Sequence, residues 1–136
     1  MRYALDSNVC IGFMNKHAGV RKRFLAALGR GERIAVPITV LFELMYGVYK
    51  SARPDQNARS ISEFLEGPVD LLAFSHSDAD AAARIRAALE REGTPIGPYD
   101  VLIAGQAVNR GLTLITANVR EFSRVPGLTL EDWSVE

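Results

Sequence analysis

The sequence predicts an α/β fold, a three-layer α/β/α arrangement around a central parallel sheet of four or five short strands. Two observations predict it. Short apolar runs of strand length alternate with longer segments of helical period from one end of the chain to the other. Glycine and proline punctuate the junctions, at Gly29 and Gly31, Pro37, Pro54, Gly93 to Pro98, and Gly111. Strands of this kind, joined through helices, lie parallel and are covered on both faces.

The elements follow in order. Tyr3-Ala-Leu-Asp6 is a strand that ends in a polar corner, Asp6-Ser7-Asn8. Val9 to Met14 is a short buried helix, and Val20 to Leu28 continues helically with Phe24, Leu25 and Leu28 on one side. Gly29 and Gly31 stop it. Arg33 to Val36 is the second strand, closed by Pro37. Thr39 is placed to cap the next helix, which runs to about Lys50. That helix carries two apolar stripes, Leu41-Leu44-Met45-Val48 and Phe42-Met45-Tyr46-Tyr49, so one of them is free to meet a partner chain. Simple core packing is the plainer alternative.

Arg53-Pro54 opens a helix through Leu65, with proline in the first turn. Val69 to Phe74 is the third strand. Ser77 or Asp78 caps a helix bearing Ala82, Ile85 and Leu89, ended by Gly93. The stiff loop Gly93-Thr-Pro-Ile-Gly-Pro98 then feeds a helix that runs to about Asn109 and places Asp100 in its first turn, where the macrodipole favours an anion. Leu112 to Thr116 is the fourth strand, and Leu128 to Leu130 is the candidate fifth.

Composition narrows the function. One domain over 1–136 is expected from the length. The chain is 48% hydrophobic and 24% charged, an ordinary globular balance. It has no apolar run long enough to span a membrane and no signal-peptide layout at Met1 to Asp6. Cys10 is the one cysteine, which excludes an internal disulfide and fits a reducing cytoplasm. With His17 and His76 as the two histidines, a zinc site is not expected. Sixteen basic and sixteen acidic residues cancel, which argues against a protein that coats long nucleic acids.

Four acids are the candidate catalytic groups and metal ligands: Asp6, Glu43, Asp100 and Glu121. Parallel sheets bind ligands beyond the carboxyl ends of their strands. Asp6 stands at the end of the first strand, and Thr116, Asn118 and Glu121 follow the fourth. Ser7, Asn8, Thr116 and Asn118 line the same rim. Each acid alone has a dull reading, as a turn, a helix cap or a surface charge. Clustered, they repel and raise one another's pKa values unless a hard cation sits among their oxygens. Carboxylates select Mg2+ or Mn2+ over softer metals. A metal of that kind suits phosphodiester hydrolysis. No Ser-His-Asp arrangement, GxSxG, P-loop or GxGxxG is present.

The ordered motifs sharpen this reading. Leu5-Asp-Ser-Asn-Val-Cys-Ile11 is similar to LDTN-x-C/I, with Ser7 in place of the commoner threonine. Ile38 to Gly47 matches T-x-x-E-L-x-Y-G, and Gly93 to Ala107 matches G-x-P-I-G-x-x-D-x-x-I-A. Leu114 to Leu128 matches T-x-N-x-R-E-F-x-R-V-P-G-L, and Glu131-Asp-Trp133 the closing E-D-W. Together they resemble the PIN-domain ribonucleases, and among them the VapC-type toxins of bacterial toxin–antitoxin pairs.

The resemblance implies that Asp6, Glu43 and Asp100 form the acidic triad, with Asp6 and Asp100 as direct metal ligands. It implies Glu121 as the fourth acid, Asn118 standing where some members carry an aspartate. It also implies a homodimer, a VapB-type antitoxin that blocks the site, and RNA as substrate. The pattern is nearest to toxins that cut initiator tRNA in the anticodon stem-loop. Lys16, Arg21, Lys22, Arg23, Arg120 and Arg124 are candidate RNA contacts, a solvated helix face being the plainer reading of the first cluster.

Two other functions compete with the nuclease. A phospho-acceptor or small phosphatase on a similar sheet would want a second aspartate where Asn8 stands and a late lysine, whereas none follows Lys50. A non-catalytic module that holds a partner on its apolar helix would be indifferent to acid-to-amide changes.

Overall fold

A computed structural model describes residues 2–135. It contains the alternation that the apolar runs predict. The order is β1 (Tyr3–Leu5), α1 (Ser7–Met14), α2 (Ala18–Gly29), β2 (Ile34–Pro37), α3 (Ile38–Lys50) and α4 (Pro54–Glu66). Then come β3 (Val69–Leu72), α5 (His76–Arg91), α6 (Pro98–Arg110), β4 (Thr113–Ile115), α7 (Val119–Phe122) and β5 (Thr129–Glu131). The five strands form one parallel sheet in the order β3-β2-β1-β4-β5, with helices on both faces. Tyr3 stands opposite Ile34 on one side and Thr113 on the other.

This order places the site. From β1 the chain steps outward through β2 to β3, then returns to lay β4 and β5 on the opposite flank. The strand order therefore reverses between β1 and β4. At such a reversal the connecting helices leave toward opposite faces and open a crevice beyond the strand ends. Asp6 follows β1 and Thr116 follows β4, so both stand at that crevice.

The core explains why these residues make these strands. All of β1, β2 and β4 are buried, and Leu5, Ile34, Val36, Leu114 and Ile115 are wholly shielded from water. Each such side chain contributes roughly 1.5–3 kcal/mol relative to exposure. Trp133 covers the sheet near Tyr3, ring centroids 5.3 Å apart, edge to face. On the other side α5 and α6 cross very closely. A Cβ on Gly105 would stand 2.5 Å from the Ala82 Cα, so only glycine permits this crossing.

Several sequence expectations need correction. The cap of α5 is Ser75, not Ser77 or Asp78. Its hydroxyl accepts from the Asp78 N–H, and the Asp78 carboxylate accepts from the Ser75 N–H, a reciprocal capping box. Thr39 caps nothing, because α3 begins directly after Pro37 with no side-chain cap. Leu25 is 61% exposed and faces away from the Phe24 side. The first helix begins at Ser7 rather than Val9 because the Asp6 side chain takes the Ser7 N–H. The short helix α7 has no counterpart among the sequence expectations, since four residues are too few to show a period. Of the two stripes on α3, Leu44 and Val48 are buried, whereas Phe42, Tyr46 and Tyr49 are exposed.

Candidate active site

Asp6 is fixed by its neighbours on both sides of the strand reversal. It is 4% exposed. Its Oδ1 accepts from the Ser7 N–H at 2.8 Å. Its Oδ2 accepts from the Thr116 hydroxyl at 2.8 Å and from the Asn8 amide at 3.3 Å. Asn8 also reaches across, its Oδ1 accepting from the Ala117 N–H at 3.3 Å. The ends of β1 and β4 are thus tied together by side chains at the point where the crevice opens. Burial pushes the Asp6 carboxyl above its ordinary range, against the pull of its three donors.

Thr116 passes the connection on. The Asn118 N–H donates to Thr116 Oγ1 at 3.0 Å, and the Asn118 side-chain amide donates to Glu121 Oε2 at 2.8 Å. Glu121 Oε1 accepts from the Gly97 N–H at 2.6 Å. That backbone contact, first among several, holds the Glu121 carboxyl below its usual range despite partial burial. Gly97 is the cap residue of α6, and Asp100 lies one turn inside it.

Asp100 has the opposite environment. Burial comes first, followed by the charges of Glu121, Asp6 and Glu43, and together they push its carboxyl up to about 7. Asp100 and Glu121 lie close enough to share a proton. Glu43 projects from α3 toward the same crevice. Its carboxyl is raised by burial and then by Asp6, and its buried Oε1 has no hydrogen-bond partner. The structure thus brings all four sequence-predicted acids to one lip of the sheet, and Ser7, Asn8, Thr116 and Asn118 with them. Ser7 contributes through its backbone.

The proposed basic contacts fare differently. Arg21 donates to the Phe13 carbonyl and lies over the Phe13 ring. Arg23 donates to the Asp132 carbonyl, and Arg124 to the Pro95 carbonyl. These three guanidiniums are engaged in holding the fold. Lys16, Lys22 and Arg120 are exposed. Cys10 lies buried beside Asp6, and burial pushes its thiol up, so it is not a nucleophile. Sequence reasoning missed one polar group, the Gly97 amide, because a backbone donor leaves no residue-type signal.

The donor set fits a hard divalent cation. Among the described residues no three acids, histidines or cysteines are drawn together as a ready-made ligand set. The orphaned Glu43 oxygen and the raised Asp6 and Asp100 carboxyls are nonetheless what positive charge among them would relieve.

Comparison with known proteins agrees with this geometry. The PIN domain matches residues 3–128. A protein of Shigella flexneri named tRNA(fMet)-specific endonuclease VapC is 44% identical, over 98% of this chain and 99% of its own. A Salmonella typhimurium protein of the same name is 40% identical, over 98% of each chain. The crystal structure of VapBC2 from Rickettsia felis, bound to a DNA fragment from its promoter, superposes with a TM-score of 0.89 at 38% identity, covering 98% of this chain and 99% of that one. The chain belongs to the VapC ribonucleases of the PIN-domain family.

Proposed function

We propose that the chain is the toxin of a toxin–antitoxin pair and hydrolyses phosphodiester bonds of initiator tRNA in the anticodon stem-loop, with Mg2+ bound at Asp6, Glu43 and Asp100. Mn2+ is the alternative ion. One observation carries the reading: four acids from four separate segments meet at the reversal between β1 and β4, with Asp100 held near neutrality. Two relatives at 44% and 40% identity bear tRNA(fMet)-specific names, which supports the substrate.

The cation, when bound, supplies Lewis-acid charge at the scissile phosphate. The chain's own residues do the rest. Thr116, Ser7 and Asn8 fix the Asp6 carboxylate in one orientation, so no reorganisation is needed when substrate arrives. Asp100, held protonated to about pH 7 by burial and its acidic neighbours, would give up that proton to bind the cation and then hold the cation opposite Asp6. Glu43 has an oxygen free of other partners to offer the site.

A VapB-type antitoxin and a second copy of the chain are the proposed partners. The VapBC2 complex supports the first. Exposed Phe42, Tyr46 and Tyr49 on α3, joined by Tyr99 5.3 Å from Phe42, give an apolar face for one of them. The whole chain from 1 to 136 acts as one domain in this reading.

Purified protein is expected to cut initiator tRNA with Mg2+ or Mn2+ and to stop with EDTA. Asp6→Asn or Asp100→Asn lowers cleavage by more than about a hundredfold, beyond the loss usual for groups that merely support a metal ligand. Full activity in both variants, with native circular dichroism, ends this account.

A further inference from the structure

We propose that Glu121 acts as a positioning residue: it grips the Gly97 amide and thereby sets the start of α6, so that Asp100 faces Asp6 across the strand reversal. The proposal rests on the active-site reading above and deepens it.

The start of α6 has no local side-chain cap. Gly97 has no side chain, and Pro98 has no N–H to satisfy. The Gly97 N–H goes instead to Glu121, 24 residues away, at 2.6 Å. A short bond from an amide to a carboxylate is among the stronger kinds. The other Glu121 oxygen is held by Asn118 at 2.8 Å. Both oxygens are thus held by donors, one from the loop before α6 and one from the turn after β4, which fixes the carboxylate between the two segments. Glu43, in contrast, has a free oxygen.

The same short segment grips the loop twice. Arg124 donates to the Pro95 carbonyl at 2.9 Å, two residues before Gly97. Phe122, between the two contacts, is fully buried and anchors α7 to the core. Gly97 also lies against two of the acids. A Cβ there would stand 3.1 Å from Asp100 Oδ2 and 3.5 Å from Glu121 Oε1. The amide, the clamp and Asp100 thus form one packed unit, and Asn118, Thr116 and Asp6 continue it across the crevice.

The test compares Glu121→Gln with Glu121→Ala, using Asp6→Asn as the ligand control. Titration with Mn2+ alone measures metal affinity, amide hydrogen exchange follows Gly97 in the metal-free protein, and cleavage of tRNA separates kcat from KM. The glutamine keeps an oxygen for Gly97, so Mn2+ affinity stays within about threefold of native. The alanine releases the amide, so Gly97 exchange quickens by about tenfold or more and the loss of cleavage falls in kcat.

If Glu121→Gln weakens Mn2+ binding as much as Asp6→Asn does, Glu121 is a ligand and the proposal is overturned. Unchanged Gly97 exchange in Glu121→Ala overturns it equally. Native protein that does not bind Mn2+ would refute the metal-site reading instead, and the Gly97 exchange would then decide the clamp on its own.

Discussion

The two ends of α6 treat a carboxylate in opposite ways. Near its C-terminal end the helix offers Gln106, Asn109 and Arg110 to Asp78 of α5. Arg110 Nη2 lies 2.8 Å from Asp78 Oδ2, Asn109 2.8 Å from Oδ1, and the Ser75 N–H 2.8 Å from Oδ2. Burial alone would raise the Asp78 carboxyl, but these donors together hold it well below the usual range. Arg110 and Gln106 also bond the Ala73 carbonyl, which pins α6 to the end of β3. Near its N-terminal end the same helix carries Asp100, which is faced by three other acids and raised to about 7. An acid ringed by donors is a structural tie. An acid ringed by acids is held against its own electrostatics, as functional sites often are.

Several substitutions can break or sharpen that contrast. Arg110→Ala removes the charged partner of a fully buried carboxylate. It is expected to cost about 2–3 kcal/mol of folding stability, measured by urea denaturation, because Arg110 is partly exposed and the other donors remain. Cleavage per folded molecule should persist. A stability loss within error would mean that Asp78 is not a tie.

Gly105→Ala follows, at about 1–3 kcal/mol, since the new methyl overlaps Ala82 backbone atoms. If the two helices separate to admit it, the damage reaches Asp100 and kcat falls together with stability. A drop in stability with kcat unchanged would show that the two ends of α6 are mechanically independent.

The smallest effect in size, though the most telling in sign, is the response to pH. In the folded chain Asp100 keeps its proton to about pH 7, whereas unfolded it releases it near 3.8. The native state therefore binds the proton more tightly. Its contribution is complete below about 3.8 and is lost as pH rises through about 7. Asp78 behaves oppositely: its contribution is present above 3.8 and is lost on acidification below that value. The metal-free protein should then lose thermal stability between about pH 5 and pH 7.5. Asp100→Asn should flatten that slope and raise the melting temperature at pH 7.5, while abolishing cleavage. Added Mn2+ should bind more tightly as pH rises, because cation and proton compete for the same oxygens. A native slope of the reverse sign would remove Asp100 from the acidic cluster.

Much of this was legible in the sequence, and the particular residues show why. The apolar runs around Tyr3, Ile34 and Leu114 mark β1, β2 and β4, because a strand covered on both faces must be apolar throughout. Pro98 and Gly111 frame α6, since one fits a first helical turn and the other takes φ 66° at its end. Asp6, Glu43, Asp100 and Glu121 stand out because their spacing and neighbours form ordered motifs. Gly105 and the Gly97 amide stayed silent, because each acts through a contact with a group remote along the chain. Ser75, in contrast, carries a local signal in its S-x-x-D spacing to Asp78 that the neighbouring Ser77 and Asp78 obscure.

By itself, then, the sequence determined where the chain would be strand or helix and which acids it could bring to a strand end, since periodicity and turn chemistry are local properties. Only the tertiary structure decided that Asp78 would be stabilised in its charged form and Asp100 in its protonated form. A carboxylate's charge depends on which groups surround it in space, and Arg110 lies 32 residues from Asp78 just as Glu121 lies remote from Gly97 along the chain.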